Sequence, residues 1–157
     1  MTMSVRLARC LSRNESHFDT VRRPGDIREA GPSTAPAVPQ DRLARTVLFE
    51  DERGYLTAVI PASHHLKLAE LRRQTGRELG RAHAEGVREV FRDCDPRALP
   101  PVGMAYGTQT WIDESLLAHD DVYFESGDRD ALVHMRVDDF ARLMADARRG
   151  RFAHRVM

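Results

Sequence analysis

The segment from Leu43 to Pro61 constrains the fold more than any other part of this 157-residue chain. Two runs rich in β-branched and aromatic residues, LARTVLFE and YLTAVI, flank the short polar sequence DERG. A short polar connection containing glycine between two such runs is typical of a β-hairpin. We therefore predict that these runs form two adjacent antiparallel strands.

Helices are predicted on both sides of this hairpin. The apolar spacing and the stop signals favour helices over Val5 to Leu11, Leu66 to Thr75, Ala84 to Phe91, and from Val137 through Ala147. Gly76 is expected to end the second of these helices. In the last, the acidic pair Asp138 and Asp139 would lie at the positive end of the helix dipole, with Arg148 and Arg149 at the negative end.

Three further strands are predicted after the helical region. They are expected over Tyr106 to Ile112, Asp121 to Phe124 and Leu132 to Val137. Asp113 follows the first of them, where its carboxylate can cap the short helix of the DESLL sequence. Prolines favour loops at residues 31–40 and again between Pro96 and Pro101.

Length and composition narrow the class of protein. A chain of this length fits one domain over residues 1–157, in which residues 1–40 form a less certain N-terminal segment. The 24 basic and 24 acidic residues give zero formal charge, which argues against coating long stretches of nucleic acid but permits contact with the end of an RNA. Two cysteines without a paired motif predict neither a disulfide framework nor a zinc site, and a cytoplasmic location without membrane association is expected.

The run DCDPRALPPVGMAYG, followed by IDESL and VYFESGD, has a specific order and spacing. It resembles the YbaK and prolyl-tRNA synthetase associated family of aminoacyl-tRNA deacylases. The similarity extends upstream through LARTVLF and HLKLAELRR and downstream through FARLMADARRGRF, so it spans roughly Val5 to Phe152. The resemblance implies a mixed α/β fold: one compact domain with a curved, mixed, largely antiparallel sheet flanked by helices.

The resemblance also implies a function. Members of this family hydrolyse the ester that joins a wrong amino acid to the 3′ end of a tRNA, acting in trans as proofreading enzymes. Such editing is needed because one missing methylene in a synthetase pocket gives only about 1–3 kcal/mol of discrimination. Mischarged aminoacyl-tRNA is the expected partner, and an aminoacyl-tRNA synthetase is a second candidate. No cofactor or metal is expected.

The expected site residues follow from positions that match the family motifs. Arg45 and Asp113 are the candidate catalytic residues. The candidate substrate-binding residues are Arg97, Ala98, Leu99, Pro100, Pro101, Gly103, Gly127, Asp128 and Arg129.

Three of these positions depart from the family pattern. Arg45 stands where the family has lysine, Arg97 where the loop has glycine, and Arg129 where many relatives have histidine. A planar guanidinium does not reproduce the geometry of an ammonium, and a side chain at a glycine position can obstruct the backbone or the ligand. Three alternatives stay open: ordinary deacylation, an arginine-lined pocket for a phosphate or carboxylate, and a site that has lost activity.

Other residues support weaker hypotheses. His64 and His65 are adjacent and lack a third ligand at a fixed spacing, so a solvent-facing turn is favoured over a metal site. Cys94 matches the family sequence, and a nucleophilic role is not favoured. Trp111 and Tyr106 could stack on the terminal adenine of a tRNA, although core packing is the preferred interpretation of Trp111.

Overall fold

The computed structural model describes residues 2–23 and 38–155. Ten strands lie within these residues: β1 (Asp19–Arg22), β2 (Leu43–Asp51), β3 (Gly54–Pro61), β4 (His64–Leu66), β5 (Gly80–Arg81), β6 (Gln109–Asp113), β7 (Asp121–Glu125), β8 (Ala131–Arg136), β9 (Arg148–Gly150) and β10 (Ala153–Arg155). The helices are α1 (Val5–Arg13), α2 (Leu68–Thr75), α3 (Ala84–Val90) and α4 (Val137–Leu143). Short 3₁₀ helices cover Gln40–Arg42, Gly103–Tyr106 and Glu114–Ala118.

Most strands join one mixed sheet in the order β1-β8-β7-β2-β3-β6-β9. The pairs β1 with β8, β7 with β8 and β2 with β3 are antiparallel, whereas β2 with β7, β3 with β6 and β6 with β9 are parallel. Strand β5 pairs with the far end of β2, and β4 with β10 forms a separate ribbon. The predicted mixed, largely antiparallel sheet is confirmed.

The predicted hairpin is the centre of this sheet. Strands β2 and β3 pair in register from Ala44 opposite Pro61 to Asp51 opposite Gly54. Gly54 has a φ of 125°, which glycine adopts without steric cost. Both faces of the hairpin are covered, which accounts for its continuous apolar runs.

Helices cover the sheet on both faces. Leu7 of α1 and Phe140 of α4 pack on one face with Phe124, whereas Leu71 of α2 packs on the other with Trp111. A third cluster joins Leu48, Val90, Phe91 and Leu99, so α3 and the loop after it cover the middle of β2. Among the described helices, none is long and apolar enough to cross a membrane.

Several predicted elements are confirmed with small shifts. Helix α1 extends to Arg13, α2 begins at Leu68, and Gly76 ends α2 in the left-handed conformation with a φ of 67°. Strands β7 and β8 form the expected antiparallel pair. Of the predicted loop over residues 31–40, the part at 31–37 lies outside the described residues.

Two predicted boundaries are wrong. Helix α4 ends at Leu143, and Arg148–Gly150 forms β9 on the edge of β6. Edge pairing of the backbone overrides the helical spacing there, and Gly150 packs so closely on Trp111 that a Cβ would lie 3.2 Å from its ring. Likewise, Tyr106 belongs to a 3₁₀ helix rather than a strand, because Gly107 turns the chain with a φ of 80°.

Candidate functional site

The candidate site lies where β2 and β7 stop pairing. Their parallel register covers only Leu43 opposite Tyr123 and Ala44 opposite Phe124. The loop after α3 approaches next to these strands, where the Asp95 N–H donates to the Gly127 carbonyl at 2.8 Å. The Gly127 N–H in turn donates to the Ala98 carbonyl at 2.8 Å. This loop, β2 and the end of β7 therefore surround one opening.

A pocket of about 190 Å³ occupies this opening. It is lined by Leu43, Ala44, Arg45, Thr46, Ala62, Pro96, Arg97, Leu99 and Glu125. Most of the lining side chains are small or apolar, and three are charged. The pocket is smaller than the roughly 300–1,000 Å³ typical of sites for drug-sized ligands, so it suits a small chemical group.

Two of the three charged side chains are held in ion pairs. Arg97 donates from Nη2 to Asp95 Oδ2 at 2.9 Å and from Nε to Oδ1 at 3.1 Å. Hydrogen bonds from the Arg97 side chain and backbone lower the pKa of Asp95 to about 2, with a smaller contribution from the charge of Arg129. Glu125 forms an ion pair with Arg23.

Arg45 is the charged side chain that these pairs leave available. It lies exposed on β2, and within the described part of the chain no carboxylate pairs with it. An unpaired guanidinium at the mouth of a small apolar pocket can donate hydrogen bonds to a carbonyl oxygen or a phosphate of a ligand.

A polar network behind the pocket fixes the loop and α1. The Tyr106 hydroxyl donates to Asp93 Oδ1 at 2.5 Å, and the Ser4 hydroxyl donates to Asp93 Oδ2 at 2.8 Å. Burial alone would raise the pKa of Asp93, but hydrogen bonds from Tyr106, the Arg6 N–H and Ser4 outweigh it and lower the pKa to about 2. Asp93 is therefore ionised at neutral pH and holds these elements together.

The adjacent cysteine is poorly suited to nucleophilic chemistry. Burial raises the pKa of the Cys94 thiol to about 12, and the nearby Asp93 carboxylate adds to this effect. Because the thiolate is the reactive form, Cys94 stays protonated and inert at neutral pH.

Comparison with known families identifies the domain. A model of the aminoacyl-tRNA editing domain matches residues 29–143. The chain belongs to the aminoacyl-tRNA editing domain family. This membership supports a proofreading role and confirms the resemblance found in the sequence. None of the curated proteins matches the chain.

Solved structures share the fold of this editing domain. A proposed signal transduction protein from Marinobacter aquaeolei VT8 is 25% identical to this chain and has a TM-score of 0.76. The match covers 97% of this chain but only 31% of the length of that protein. A scaffold protein from computational epitope grafting has a TM-score of 0.79 at 21% identity. This match covers 96% of the present chain and 97% of the scaffold chain. A proposed trans-editing enzyme for prolyl-tRNA synthetase has a TM-score of 0.77 at 21% identity over 95% of both chains.

The editing domain brings together some of the residues expected from the family motifs. Arg45, Arg97 and Leu99 line the pocket, and the backbone of Ala98 bonds to Gly127 beside it. Arginine fits at the position where the family has glycine, because the backbone φ of Arg97 is not positive. Its guanidinium turns outward to Asp95, and 67% of the side chain is exposed. The loop conformation therefore does not require glycine here.

The turn at Gly127 supports the pocket rather than lining it. Gly127 has a φ of 87°, and a Cβ there would lie 2.8 Å from the Ser4 Cβ. Asp128 is buried and its Oδ1 accepts from the Asp130 N–H at 2.9 Å. The Arg129 side chain is exposed, and its carbonyl accepts from Arg23 Nε at 2.6 Å.

Other expected residues lie deeper in the editing domain. Asp113 is 3% exposed, and its Oδ1 accepts from the N–H groups of Phe152 at 2.9 Å and Ala153 at 3.0 Å. Gly103 packs so tightly that a Cβ would lie 2.4 Å from the Thr57 Oγ1. Pro100 and Pro101 are buried. None of these side chains lines the pocket described above.

Sequence reasoning missed six of the pocket residues, namely Leu43, Ala44, Thr46, Ala62, Pro96 and Glu125. Glu125 ends β7 within the quoted VYFESGD run, and Thr46 follows Arg45 in LARTVLF, so both belong to motifs that were recognised. Ala62 lies beyond the hairpin and faces the pocket because its N–H bonds the Leu43 carbonyl at 2.8 Å. No sequence signal indicated that contact.

The described residues contain no cluster arranged to hold a metal ion, since no group of three or more His, Cys, Asp or Glu side chains converges there.

Trp111 is 7% exposed and packs in the core on the α2 face, which is the interpretation that the sequence favoured. The Tyr106 hydroxyl is bound to Asp93, so this aromatic side chain is part of the network behind the pocket.

Proposed function

We propose that this protein hydrolyses, in trans, the ester that joins a wrong amino acid to the 3′ end of a tRNA. The observation that carries this proposal is the Arg45 guanidinium beside the small pocket, for which the described residues supply no carboxylate partner. Arg45 lies within the region that the family model matches. Acting in trans means that the mischarged tRNA reaches this site after release from an aminoacyl-tRNA synthetase, which is the second proposed partner.

The proposed reaction is addition of water to the ester carbonyl. A bond forms between the water oxygen and the carbonyl carbon, the π-electron pair of the carbonyl moves to its oxygen, and the attacking water releases a proton. Arg45 donates hydrogen bonds to this oxyanion, which is the charge that develops in the transition state. The ester C–O bond then breaks, the ribose oxygen takes up the proton that the attacking water released, and the free amino acid and intact tRNA leave.

The pocket would select the amino acid by size and charge. Leu43, Ala44, Ala62 and Leu99 surround a space suited to a short side chain. Glu125 is the one carboxylate among the described lining residues, and it can accept hydrogen bonds from the α-ammonium group of the substrate. Arg23 holds the Glu125 side chain in place through their ion pair.

The alternative proposal is a module that binds aminoacyl-tRNA or a small anionic ligand without hydrolysis. The presence of arginine at both the lysine and the glycine positions favours it, because Arg45 and Arg97 both line the pocket. Planar guanidinium groups bind carboxylates and phosphates well.

Release of amino acid from charged tRNAs separates the two proposals. The wild-type protein is incubated with tRNAs mischarged with alanine, cysteine or serine, and with a correctly charged tRNA as the control. Editing predicts faster release from at least one mischarged tRNA than from the control. Tight binding with release no faster than spontaneous hydrolysis in every case would establish the binding module instead.

A further inference from the structure

A second and larger depression lies on the α1 side of the domain. Its volume is about 480 Å³, and it runs between α1, α4 and the 3₁₀ helix at Gly103–Tyr106. The residues lining it are Arg6, Arg9, Cys10, Arg13, Asn14, Met104, Ala105, Arg142, Leu143, Ala145 and Asp146. We call it the α1 groove. Four arginines and one aspartate line it, so its charge is strongly positive.

Three arginines form a stripe along α1. Arg6, Arg9 and Arg13 recur at helical spacing on the exposed side, while Leu7 and Leu11 are buried against the sheet. With a rise of about 1.5 Å per residue, the stripe is about 10 Å long. We call these three residues the basic stripe.

The basic stripe keeps its charge available. Arg6 lies over the Tyr106 ring, with its guanidinium carbon 5.4 Å from the centroid. For Arg9 and Arg13, no carboxylate partner exists within residues 2–23 and 38–155. The fourth arginine of the groove is different, because Arg142 donates to Asp139 at 2.5 Å. On a chain of zero formal charge, this concentration of cations is a local feature.

The stripe begins next to the turn at Gly127, which lies behind the pocket lined by Arg45. We call this pocket the editing pocket. The N–H of Ser4, the N-cap of α1, donates to the Ser126 carbonyl at 2.9 Å, and Ser126 follows the pocket residue Glu125. Gly127 packs directly on Ser4. Helix α1 therefore leads away from the editing pocket, and it lies before the part of the chain that matches the family model.

We infer that the basic stripe binds the sugar-phosphate backbone of the tRNA acceptor stem while its 3′ end occupies the editing pocket. This inference rests on the proposed function for the identity of the RNA. In double-stranded DNA a strand advances about 3.4 Å per phosphate along its axis, and with a comparable rise in an RNA duplex the 10 Å stripe spans about three phosphates. Guanidinium groups suit phosphate oxygens because they donate two parallel hydrogen bonds. Such contacts position the substrate without reading its sequence.

Binding of an uncharged RNA tests this inference without requiring catalysis. The probe is a fluorescent acceptor-stem minihelix with a single-stranded CCA end, titrated by anisotropy between 50 and 200 mM salt. The variant Arg9→Gln/Arg13→Gln is compared with the control Arg53→Gln/Arg81→Gln, which removes the same charge from exposed arginines near the far end of β2. That end lies about 20 Å along the strand from Arg45.

The stripe variant is expected to bind about tenfold more weakly or worse, and its slope of log affinity against log salt should be shallower by about 2. The control should match the wild type. Equal losses in both variants, or an unchanged slope in the stripe variant, would overturn the inference. So would stripe-dependent binding to vesicles containing phosphatidylserine with no binding to the minihelix.

The outcomes also separate this inference from the proposed function. If the protein releases amino acids but the stripe variant binds the minihelix normally, the editing proposal stands and the stripe inference fails. If the protein releases no amino acid but minihelix binding depends on the stripe, the stripe inference stands and the proposal of hydrolysis fails.

Discussion

Replacing Asp113 should destabilise the protein strongly, because its buried carboxylate joins two distant parts of the chain. Its Oδ1 accepts from the N–H groups of Phe152 and Ala153, and its Oδ2 accepts from the Ser115 N–H at 3.2 Å and from the Ser115 hydroxyl. Asp113→Ala leaves three backbone N–H groups without their acceptor in or near the core.

The expected loss follows from these contacts. Each buried donor left without a partner costs about 1–3 kcal/mol, and loss of a helix cap costs about 1 kcal/mol. Because solvent can reach part of this region after the change, we expect a total of about 3–5 kcal/mol for Asp113→Ala. Asp113→Asn retains one acceptor oxygen and should lose about half as much.

Urea denaturation provides the measurement, with fluorescence of Trp111 as the probe. This residue is the single tryptophan of the chain and lies on the same strand. Glu114→Ala is the matched control, since Glu114 is exposed and its partner Arg151 is 86% exposed. The control should stay within about 0.5 kcal/mol. A loss below about 1 kcal/mol in Asp113→Ala would refute this account of the carboxylate.

The same variants test the predicted catalytic role of Asp113. General acid or base catalysis typically contributes about 10²–10⁴-fold in rate. If Asp113 has only its structural role, Asp113→Asn that is fully folded at the assay temperature should release amino acid at nearly the wild-type rate. A loss of more than 100-fold in that folded variant would establish Asp113 as catalytic.

Two further predictions concern the elements behind the pocket. Gly127→Ala should be less stable to heat than Gly54→Ala: both glycines have positive φ, but only at Gly127 would a Cβ press on Ser4, whereas the space around Gly54 is open. Equal melting temperatures would contradict the packing argument. Asp93 has a folded pKa of about 2, below its unfolded value of about 3.9, so its stabilising contribution is present above pH 4 and is lost as the pH falls toward 2. Asp93→Asn should therefore flatten the decline of the urea midpoint between pH 5 and pH 2, and parallel curves for variant and wild type would contradict the assignment.

Local sequence patterns predicted the elements that are set by residues close together in the sequence. The hairpin follows from two apolar runs around a glycine turn, and the end of α2 follows from Gly76. Strand β9 could not be predicted in this way, because Arg148–Gly150 becomes a strand only by pairing with β6. The same limit applies to α4, whose helical spacing continues beyond its last turn.

The candidate site shows a similar division. Arg45 and Arg97 were found from motif positions, and the structure places both beside the pocket. The ion pairs that neutralise the other charged groups of the pocket were not predictable. The pairing of Arg97 with Asp95 and of Glu125 with Arg23 depends on loop geometry. Sequence spacing alone therefore did not indicate that, among the described residues, Arg45 is the pocket cation without a carboxylate partner.

The single-turnover rate of amino acid release by Arg45→Gln tests the central claim most directly. The control is Arg81→Gln, which removes an exposed arginine paired with the opposite end of β2. Loss of one donor to a developing oxyanion typically lowers the rate by about 10²–10³-fold. The account predicts a fall of this size in Arg45→Gln, with normal folding and with Arg81→Gln unchanged. A rate for folded Arg45→Gln within about threefold of the wild type would contradict it.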